Sequence, residues 1–429
     1  MLLLIPRKIL NRSLSALVLG GLGIMAVSGL VTLFKPQAPP PSPSLQVSVP
    51  ISSGAQLQYM DEYGSGPSVR ASSAMLLEAG TGTVLYAKNE RHRRPIASTT
   101  KIMTALVALE REDLREKVSV SDWAAGTPGS TVRLRTGEKL GLEDLLHGLL
   151  LESGNDAAVA IAEHVAGSEY QFARLMNERA QELGAKDTRF QNPHGIDEPG
   201  HFSTAYDLAL MTRTALLYPR FARMVSKKEH QATLPEGARR YFNTNQLLWS
   251  YEGAEGVKTG TTDAAGKCLV AAASRDGTRL ISVVLDSSDR WGDSIALLDY
   301  GFNKFSVVDA ASPGRVVALL PVHGGLDPAV SAATSESFSF VVRSLEVRNL
   351  RTRFLVSPFR APVRKDQRLG EMAISLGGRE VKRLELVALH GVPRRTPITL
   401  TLRFLQRLFA PKKTVPSGPS EVVRLTLWP

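Results

Sequence analysis

The fold of this chain is decided by Pro-Ile-Ala-Ser-Thr-Thr-Lys-Ile-Met-Thr-Ala-Leu (residues 95–106), which predicts a loop running directly into a helix. Apolar residues recur there at helical spacing, so one face of the helix is expected in a core. Ser98 falls in the first predicted turn, and Lys101 lies three residues further on, on the same face. A neutral lysine amine can take the proton of a nearby serine hydroxyl and activate it as a nucleophile. Because Ser-x-x-Lys is common, the pair alone favours a helix cap and a surface lysine.

A second motif, Ser153-Gly154-Asn155, follows the apolar run at 145–151 and precedes a helical segment at 157–165. The apolar run and the alanine-rich segment both fit buried helices. We therefore expect a hydroxyl and an amide on a turn between two helices.

A third motif, Lys258-Thr259-Gly260, is predicted to open a pair of strands at 269–273 and 280–285, joined across a turn at 276–277. Ser-x-x-Lys, Ser-x-Asn and Lys-Thr-Gly, in this order, form the motif set of penicillin-binding proteins and class A β-lactamases. The presence of all three motifs in this order favours a catalytic Ser98–Lys101 pair over a helix cap and a surface lysine.

Three stretches resemble the serine-type D-Ala-D-Ala carboxypeptidases, which are low-molecular-mass penicillin-binding proteins. They are residues 95–106, Leu-Leu-Leu-Glu-Ser-Gly-Asn-Asp-Ala-Ala at 149–158, and Gly-Val-Lys-Thr-Gly-Thr-Thr-Asp-Ala-Ala-Gly at 256–266. Residues 192–195 and 202–209 look like connecting segments of the same family. The resemblance runs from about residue 70 to 305, and more weakly to about 395.

The expected fold class is α/β: a β-lactamase/transpeptidase-like sandwich, with helices on both faces of an antiparallel sheet, followed by a small all-β domain. The predicted strands do not alternate one by one with helices, which disfavours a doubly wound sheet. The predicted segments are an N-terminal membrane anchor or signal segment (1–35), a Pro-rich linker (36–67), a penicillin-binding serine peptidase domain (68–305), a small β domain (306–395), and an amphipathic segment with a tail (396–429).

The amino-terminal segment combines three basic residues with the uncharged apolar run Ser13–Phe34. About 20 apolar residues cross a bilayer as a helix, and the preceding positive charge keeps that end cytoplasmic. Cleavage near Ala26-Val27-Ser28 is the alternative, but it would leave an apolar mature end. In either case we expect the rest of the chain to lie outside the bacterial cytoplasmic membrane, anchored to its outer face on the periplasm or cell-wall side.

Residues 398–409 fit either an amphipathic helix or a strand, because part of the segment also alternates with a period of two. As a helix it has a polar side and an apolar side. The polar side is Thr399, Arg403, Gln406 and Arg407; the apolar side is Ile398, Leu402, Phe404, Leu405, Leu408 and Phe409. Such a helix can lie in a membrane interface with its arginines towards lipid phosphates. The family resemblance favours this interpretation.

The composition indicates which partners, metals and cofactors to expect. The net charge of +11 is spread along the chain without a nucleic-acid-binding signature, so anionic lipid headgroups and cell-wall polymers are the expected partners and nucleic acid is not. The one cysteine, Cys268, is expected in a strand core. The eight histidines show no spacing typical of a metal site, and we expect neither a metal nor a cofactor.

The resemblance implies acyl transfer from the D-Ala-D-Ala end of peptidoglycan stem peptides, with β-lactam antibiotics as mimics. Ser98 would attack, Lys101 would act as base, and Ser153 would relay a proton to the leaving amine. Burial and the nearby Lys258 charge would both lower the pKa of Lys101. Whether the lysine is the base is disputed for relatives.

The remaining motif residues are expected to bind the substrate. Asn155 would hold the substrate amide, and Lys258 with Thr259 would hold its terminal carboxylate. The backbone N–H groups of Ser98 and of Thr261, just past Gly260, would form the oxyanion hole. Arg290 is a further candidate for the carboxylate, although nothing local in the sequence fixes its position.

Three alternatives remain open on these residues. A β-lactamase shares the motifs but needs a group for rapid deacylation, and no clear carboxylate motif supplies one. A D,D-endopeptidase would use the same residues on a larger substrate. An inactive cell-wall-binding protein is disfavoured because every motif residue is present.

Overall fold

The computed structural model describes residues 58–59, 66–234 and 237–409. The predicted anchor at 1–35 and most of the linker at 36–67 lie outside the described residues. The described residues before 290 form ten strands: β1 Gln58–Tyr59, β2 Ser73–Glu78, β3 Thr83–Lys88, β4 Lys117–Ser119, β5 Lys139–Gly141, β6 Glu229–Leu234, β7 Gly237–Phe242, β8 Ala254–Thr262, β9 Gly266–Arg275 and β10 Thr278–Leu285. The described residues up to 304 also form nine α-helices: α1 Lys101–Arg111, α2 Asp122–Ala125, α3 Leu142–His147, α4 Asn155–Ala166, α5 Glu169–Glu182, α6 Ala205–Ala215, α7 Pro219–Val225, α8 Leu247–Ser250 and α9 Arg290–Lys304.

The central sheet has the strand order β1-β3-β2-β10-β9-β8. All its pairings are antiparallel except that of the short β1 with β3. Strands β2 and β3 form a hairpin around residues 80–82, and the β9–β10 hairpin turns at Asp276 and Gly277, as expected. The predicted α/β sandwich with an antiparallel sheet is confirmed.

Alternate residues of the central strands face two different cores, as a period of two requires. Met75 and Leu77 of β2 pack into the core shared with α1, α4 and α6. Ala74 and Leu76 pack on the opposite face, against α9 residues such as Leu297. Cys268 is fully buried in β9, as expected, and this burial raises the pKa of its thiol to about 11.

The segment that carries Ser98 differs from the prediction. Ser98 lies in a 3₁₀ turn, Ala97–Thr100, and the α-helix begins at Lys101. The hydroxyls of Thr99 and Thr100 donate to the carbonyls of Ile96 and Ala97, and such local bonds compete with the first α-helical turn. Ala97 has a φ of 47°, so the chain bends sharply just before Ser98.

The second motif lies at a junction between helices, and the third lies within a strand. A π-helical turn, Gly148–Glu152, ends at Ser153, which has the left-handed φ of 67°, and α4 begins at Asn155. The expected turn between two helices is therefore present. Lys258-Thr259-Gly260 lies inside β8 and does not open the strand pair, because pairing with β9 extends from Ala254 to Thr262.

A smaller β unit follows α9. Its strands are β11 Phe305–Ala311, β12 Val316–Pro321, β13 Ala329–Thr334, β14 Phe338–Arg343, β15 Leu350–Leu355, β16 Arg368–Leu376 and β17 Arg379–Ala388. They form a five-stranded sheet, β12-β13-β17-β16-β15, and a β11–β14 pair around a separate apolar core. The predicted small all-β domain is confirmed.

The carboxyl-terminal segment is a helix, α10 Pro397–Phe409, so the strand alternative is wrong. Its orientation differs from the expected one. Arg403 donates to the carbonyl of Leu326 and pairs with Asp327 at 2.6 Å, while Leu402 and Phe404 are 54% and 64% exposed. The described apolar side chains, and not Arg403, therefore face outward.

Within the described ranges, every helix is too short or too polar to cross a bilayer.

Candidate active site

The amine of Lys101 is the centre of the site. Its Nζ lies 2.9 Å from Ser98 Oγ, 2.7 Å from Asn155 Oδ1 and 2.7 Å from the backbone oxygen of His194. The side chain is 0% exposed. Burial holds the pKa of Lys101 well below its ordinary value, and the charge of Lys258 lowers it further, whereas Asp156 acts in the opposite direction.

These three contacts determine how a neutral lysine would be oriented. A neutral amine has two N–H bonds and one lone pair. The oxygens of Asn155 and His194 can only accept, so they take the two N–H bonds. The lone pair then points at Ser98, whose hydroxyl can donate its proton across 2.9 Å.

Hydrogen bonds hold both polar atoms of the Asn155 side chain. Its Nδ2 donates to the carbonyl of Pro128 at 2.7 Å, which leaves Oδ1 for Lys101. A Cβ on Gly129 would lie 2.7 Å from Nδ2, and Gly129 has a φ of +89°, so glycine is required there for two reasons. The loop before α4 thus sets the rotamer of Asn155.

Asp156 holds that loop in place. Its buried carboxylate accepts hydrogen bonds from the backbone N–H groups of Val132, Leu134 and Ala157, all near 3 Å. A carboxylate that satisfies several backbone donors is a strong local anchor. It ties the chain after Pro128 to the start of α4.

The third motif contributes a second buried lysine. Lys258 is 1% exposed and donates to the carbonyl of Thr259 at 2.9 Å. Burial, and secondarily the charge of Arg290, lower its pKa to about 7. The hydroxyl of Thr259 is 2.8 Å from that of Thr244.

Gly260 is where β8 touches the Ser98 turn. A Cβ on Gly260 would lie 3.1 Å from the backbone nitrogen of Ser98, the carbonyl of Ile96 and the Cβ of Ala97. The absence of a side chain therefore allows β8 to pack directly on the turn. This packing places the N–H of Ser98 close to the strand that carries Thr261, as an oxyanion hole between them requires.

Arg290 is the first residue of α9, and its side chain contacts the Gly260–Thr261 segment of β8. Its Nη1 donates to the carbonyl of Gly260 at 3.0 Å and to the hydroxyl of Thr261 at 2.9 Å. With Lys258 it forms a cationic end of the cleft. The sequence could not place Arg290, because this contact joins two segments that are distant along the chain.

The structure connects most of the predicted residues. Contacts join Ser98, Lys101 and Asn155, and Gly260 packs on the Ser98 turn. Ser153 is largely buried, two residues before Asn155, but in the described part of the chain no hydrogen bond links its hydroxyl to another motif residue. Its role stays a prediction.

Two contributors were missed by sequence reasoning. The His194 carbonyl is a backbone group and carries no residue-type signal, although it lies in the recognised segment 192–195. Asp156 is adjacent to the second motif, but two of its three backbone partners, Val132 and Leu134, are more than 20 residues away. Only the tertiary structure identifies these contacts.

In the described ranges, one group of three side chains has the composition of a possible metal site, and no metal is needed to explain it. Glu112, Glu116 and His164 have possible ligand atoms within 4.8 Å of one another. His164 Nε2 lies 3.1 Å from Glu116, which an ordinary ion pair explains. The group lies at the opposite end of α1 from Lys101.

A Ser-x-x-Lys turn packed against the edge strand of an antiparallel sheet defines the class of penicillin-binding proteins and serine β-lactamases. Within that class, the sequence model of the family described as D-alanyl-D-alanine carboxypeptidase matches residues 61–289. This chain belongs to the D-alanyl-D-alanine carboxypeptidase family. A second model, for the penicillin-binding protein 5 C-terminal domain, matches residues 305–394.

Individual relatives agree with this assignment. D-alanyl-D-alanine carboxypeptidase DacF of Bacillus subtilis is 35% identical over 349 residues, or 78% of this chain and 88% of that protein. DacC of Escherichia coli is 36% identical over 343 residues, covering 76% and 85%. The crystal structure of penicillin binding protein 6B from Escherichia coli has a TM-score of 0.64 at 31% identity and covers 77% of this chain and 100% of that one.

Replacing Gly260 by alanine should impair acylation without unfolding the protein. The new Cβ would press on the backbone nitrogen of Ser98. Loss of one oxyanion donor typically costs at least about a hundredfold in rate, so labelled penicillin should acylate Gly260→Ala about a hundredfold more slowly. Gly141→Ala is the matched control, since its nearest new contact is an ordinary 3.6 Å. Equal acylation by both variants would contradict the proposed packing constraint.

Lys258 should give the site a specific pH dependence. With a pKa of about 7 it is charged below that pH and loses its charge above it. The ratio of kcat/KM for a D-Ala-D-Ala peptide to that for its C-terminal amide should fall about tenfold, or about 1.4 kcal/mol, from pH 6 to 9. Titration of Lys101 changes kcat/KM for both substrates in the same way and therefore cancels in the ratio. In Lys258→Arg the charge persists and the ratio should stay level; a level ratio in the wild type would exclude this role.

Proposed function

We propose that this protein is a D-alanyl-D-alanine carboxypeptidase that removes the terminal D-Ala from peptidoglycan stem pentapeptides through a serine acyl-enzyme, and that it binds penicillin. The observation that carries the proposal is the buried amine of Lys101, 2.9 Å from the Ser98 hydroxyl, with its other contacts made to oxygen acceptors. Family membership supports the same reaction, because relatives are named for it.

In the proposed first step, Ser98 Oγ attacks the carbonyl of the D-Ala-D-Ala bond while its proton passes to Lys101 Nζ. The negative charge that develops on the carbonyl oxygen is stabilised by the N–H groups of Ser98 and Thr261. The C–N bond then breaks, and the leaving amine of D-Ala receives a proton from Lys101, with Ser153 as the relay. In the second step Lys101 takes a proton from water as the water oxygen attacks the ester carbonyl, and that proton passes to Ser98 Oγ when the ester bond breaks.

The substrate carboxylate is proposed to lie at the cationic end of the cleft. Lys258 supplies charge, Thr259 a hydroxyl, and Arg290 a second cation near Thr261. The carboxylate persists throughout the reaction, so these groups serve mainly to position the peptide bond over Ser98. A β-lactam presents a comparable carboxylate and acyl group and would react at the same serine.

A β-lactamase function is less well supported. Rapid deacylation needs a free general base, and the carboxylate of Asp156, next to Asn155, is already bonded to three backbone N–H groups. A D,D-endopeptidase remains the alternative on the same residues, since it differs only in the size of the substrate.

The nucleophile can be identified directly. Labelled penicillin should form a stable adduct on the peptide containing Ser98, seen by mass spectrometry, and Ser98→Ala should abolish it. The same assay on a peptide ending in D-Ala-D-Ala should show release of one D-Ala. Ser226→Ala is the control, because it removes an exposed hydroxyl that donates to the Arg223 carbonyl on α7. An adduct on another residue would overturn the assignment.

We also propose that the catalytic domain works outside the cytoplasmic membrane and that α10 contacts the membrane surface. Family membership supports the cell-wall location. Support for the contact comes from exposed apolar side chains on α10, including Ile398, Leu402 and Phe404. Since Arg403 is paired with Asp327, attraction to lipid would depend mainly on apolar burial.

A protein that starts at residue 68 tests this contact by co-sedimentation with anionic vesicles. We expect binding at low salt, and Leu405→Asp should weaken it several-fold because it puts a charge into the apolar face. Leu345→Asp is the matched control, since Leu345 is 81% exposed on the β domain and outside α10. If the truncated protein never binds, or both variants bind alike, α10 makes no membrane contact.

A further inference from the structure

His194 joins Lys101 to the start of α5. The backbone oxygen of His194 accepts from Lys101 Nζ at 2.7 Å, and its ring Nε2 lies 3.2 Å from Glu169 Oε2. His194 is largely buried, and Glu169 is the first residue of α5. One residue thus contacts the proposed base through its backbone and a carboxylate through its side chain.

The bonds of the His194 ring determine where its proton lies. Nδ1 accepts from the backbone N–H of Ile196 at 3.1 Å. An imidazole nitrogen that accepts a hydrogen bond carries no proton, so the proton of the neutral ring lies on Nε2 and is donated to Glu169. Both ring nitrogens are therefore used: one closes the turn after His194, and the other reaches α5.

Glu169 is itself held by a second donor. Its Oε1 accepts from the indole N–H of Trp123 on α2 at 2.7 Å. Burial alone would raise the pKa of this carboxyl, but the hydrogen bonds from His194 and Trp123 lower it below its ordinary value. The first turn of a helix also favours negative charge. The acceptor offered to the His194 ring is thus an ionised carboxylate with a fixed orientation.

The peptide groups on either side of His194 are held by other contacts. The carbonyl of Pro193 accepts from the Thr104 hydroxyl of α1 at 2.6 Å, and the N–H of Gly195 donates to Asn192 Oδ1 at 2.7 Å. These bonds tie the segment to α1 and to itself. The bond between His194 and Glu169 adds a tie to α5, which is a different element of the fold.

We propose that Glu169 is a positioning residue for the acylation of Ser98, because it holds the His194 ring and thereby keeps the His194 carbonyl in place as the acceptor for one N–H of Lys101. A lysine amine rotates about its terminal C–N bond, so both of its acceptors are needed to keep the lone pair directed at Ser98. The inference rests on the proposed serine acyl-enzyme and adds a residue outside the three motifs.

The kinetics of acylation by labelled penicillin test this role. In Glu169→Ala the acylation rate at saturating penicillin should fall about tenfold, as expected for one lost hydrogen bond. The half-saturating concentration should stay unchanged, because Lys258 and Arg290 are not affected. Glu178→Ala is the matched control: Glu178 is also on α5, and its carboxylate is exposed and lies 3.9 Å from Arg174. This variant should react like the wild type.

A conservative variant separates positioning from a general loss of structure. A glutamine at position 169 can still accept from His194, but its amide would then face the indole N–H of Trp123, and two donors would meet. Replacing Trp123 by phenylalanine removes this conflict. Trp123→Phe/Glu169→Gln should therefore acylate within about threefold of the wild type, whereas Trp123→Phe/Glu169→Ala should remain about tenfold slower.

A crystal structure of Glu169→Ala measures the proposed displacement without turnover. The distance between Lys101 Nζ and the His194 oxygen should exceed about 3.5 Å, beyond a hydrogen bond. If penicillin does not acylate the wild type, the proposed function fails, and this distance still decides the role of Glu169. An unchanged distance would overturn the inference. So would an equal loss of acylation in Glu178→Ala, a Glu169→Ala rate within twofold of the wild type, or no recovery in Trp123→Phe/Glu169→Gln.

Discussion

The complete burial of the Lys101 amine is the constraint on which the rest of the site depends. A buried ammonium loses its hydration, so the protein either pairs it with charge or favours its neutral form. Here the amine contacts the oxygens of Ser98, Asn155 and His194, and the positive charge of Lys258 lowers the pKa of Lys101 further. The neutral form is thereby favoured, and the same contacts aim its lone pair at the nucleophile.

The site around the Lys101 amine is built in part from two helices that begin there and from one strand that runs beside it. Helix α1 begins at Lys101 and α4 at Asn155, so both side chains are fixed by the first turn of a buried helix. Strand β8 passes along the Ser98 turn with Gly260 in contact. The backbones of Lys101, Asn155 and Gly260 are therefore held by helix and strand hydrogen bonds, which makes their positions precise.

Positive charge is concentrated at one end of the site. Lys258 is buried in β8, and Arg290 reaches the carbonyl of Gly260 and the hydroxyl of Thr261 from the start of α9. These two cations are where the proposed substrate would place its carboxylate, because that charge persists throughout the reaction.

The sequence by itself determined the three motifs, the α/β class and the order of domains, because short motifs and hydrophobic periodicity are local signals. Only the tertiary structure decided that Ser98 precedes the helix, that the His194 carbonyl and Asp156 support the lysine and its loop, where Arg290 reaches, and which face of α10 points outward. Each of these depends on a contact between segments far apart in the chain or on competing hydrogen bonds within a turn. Neither leaves a periodic pattern in the sequence.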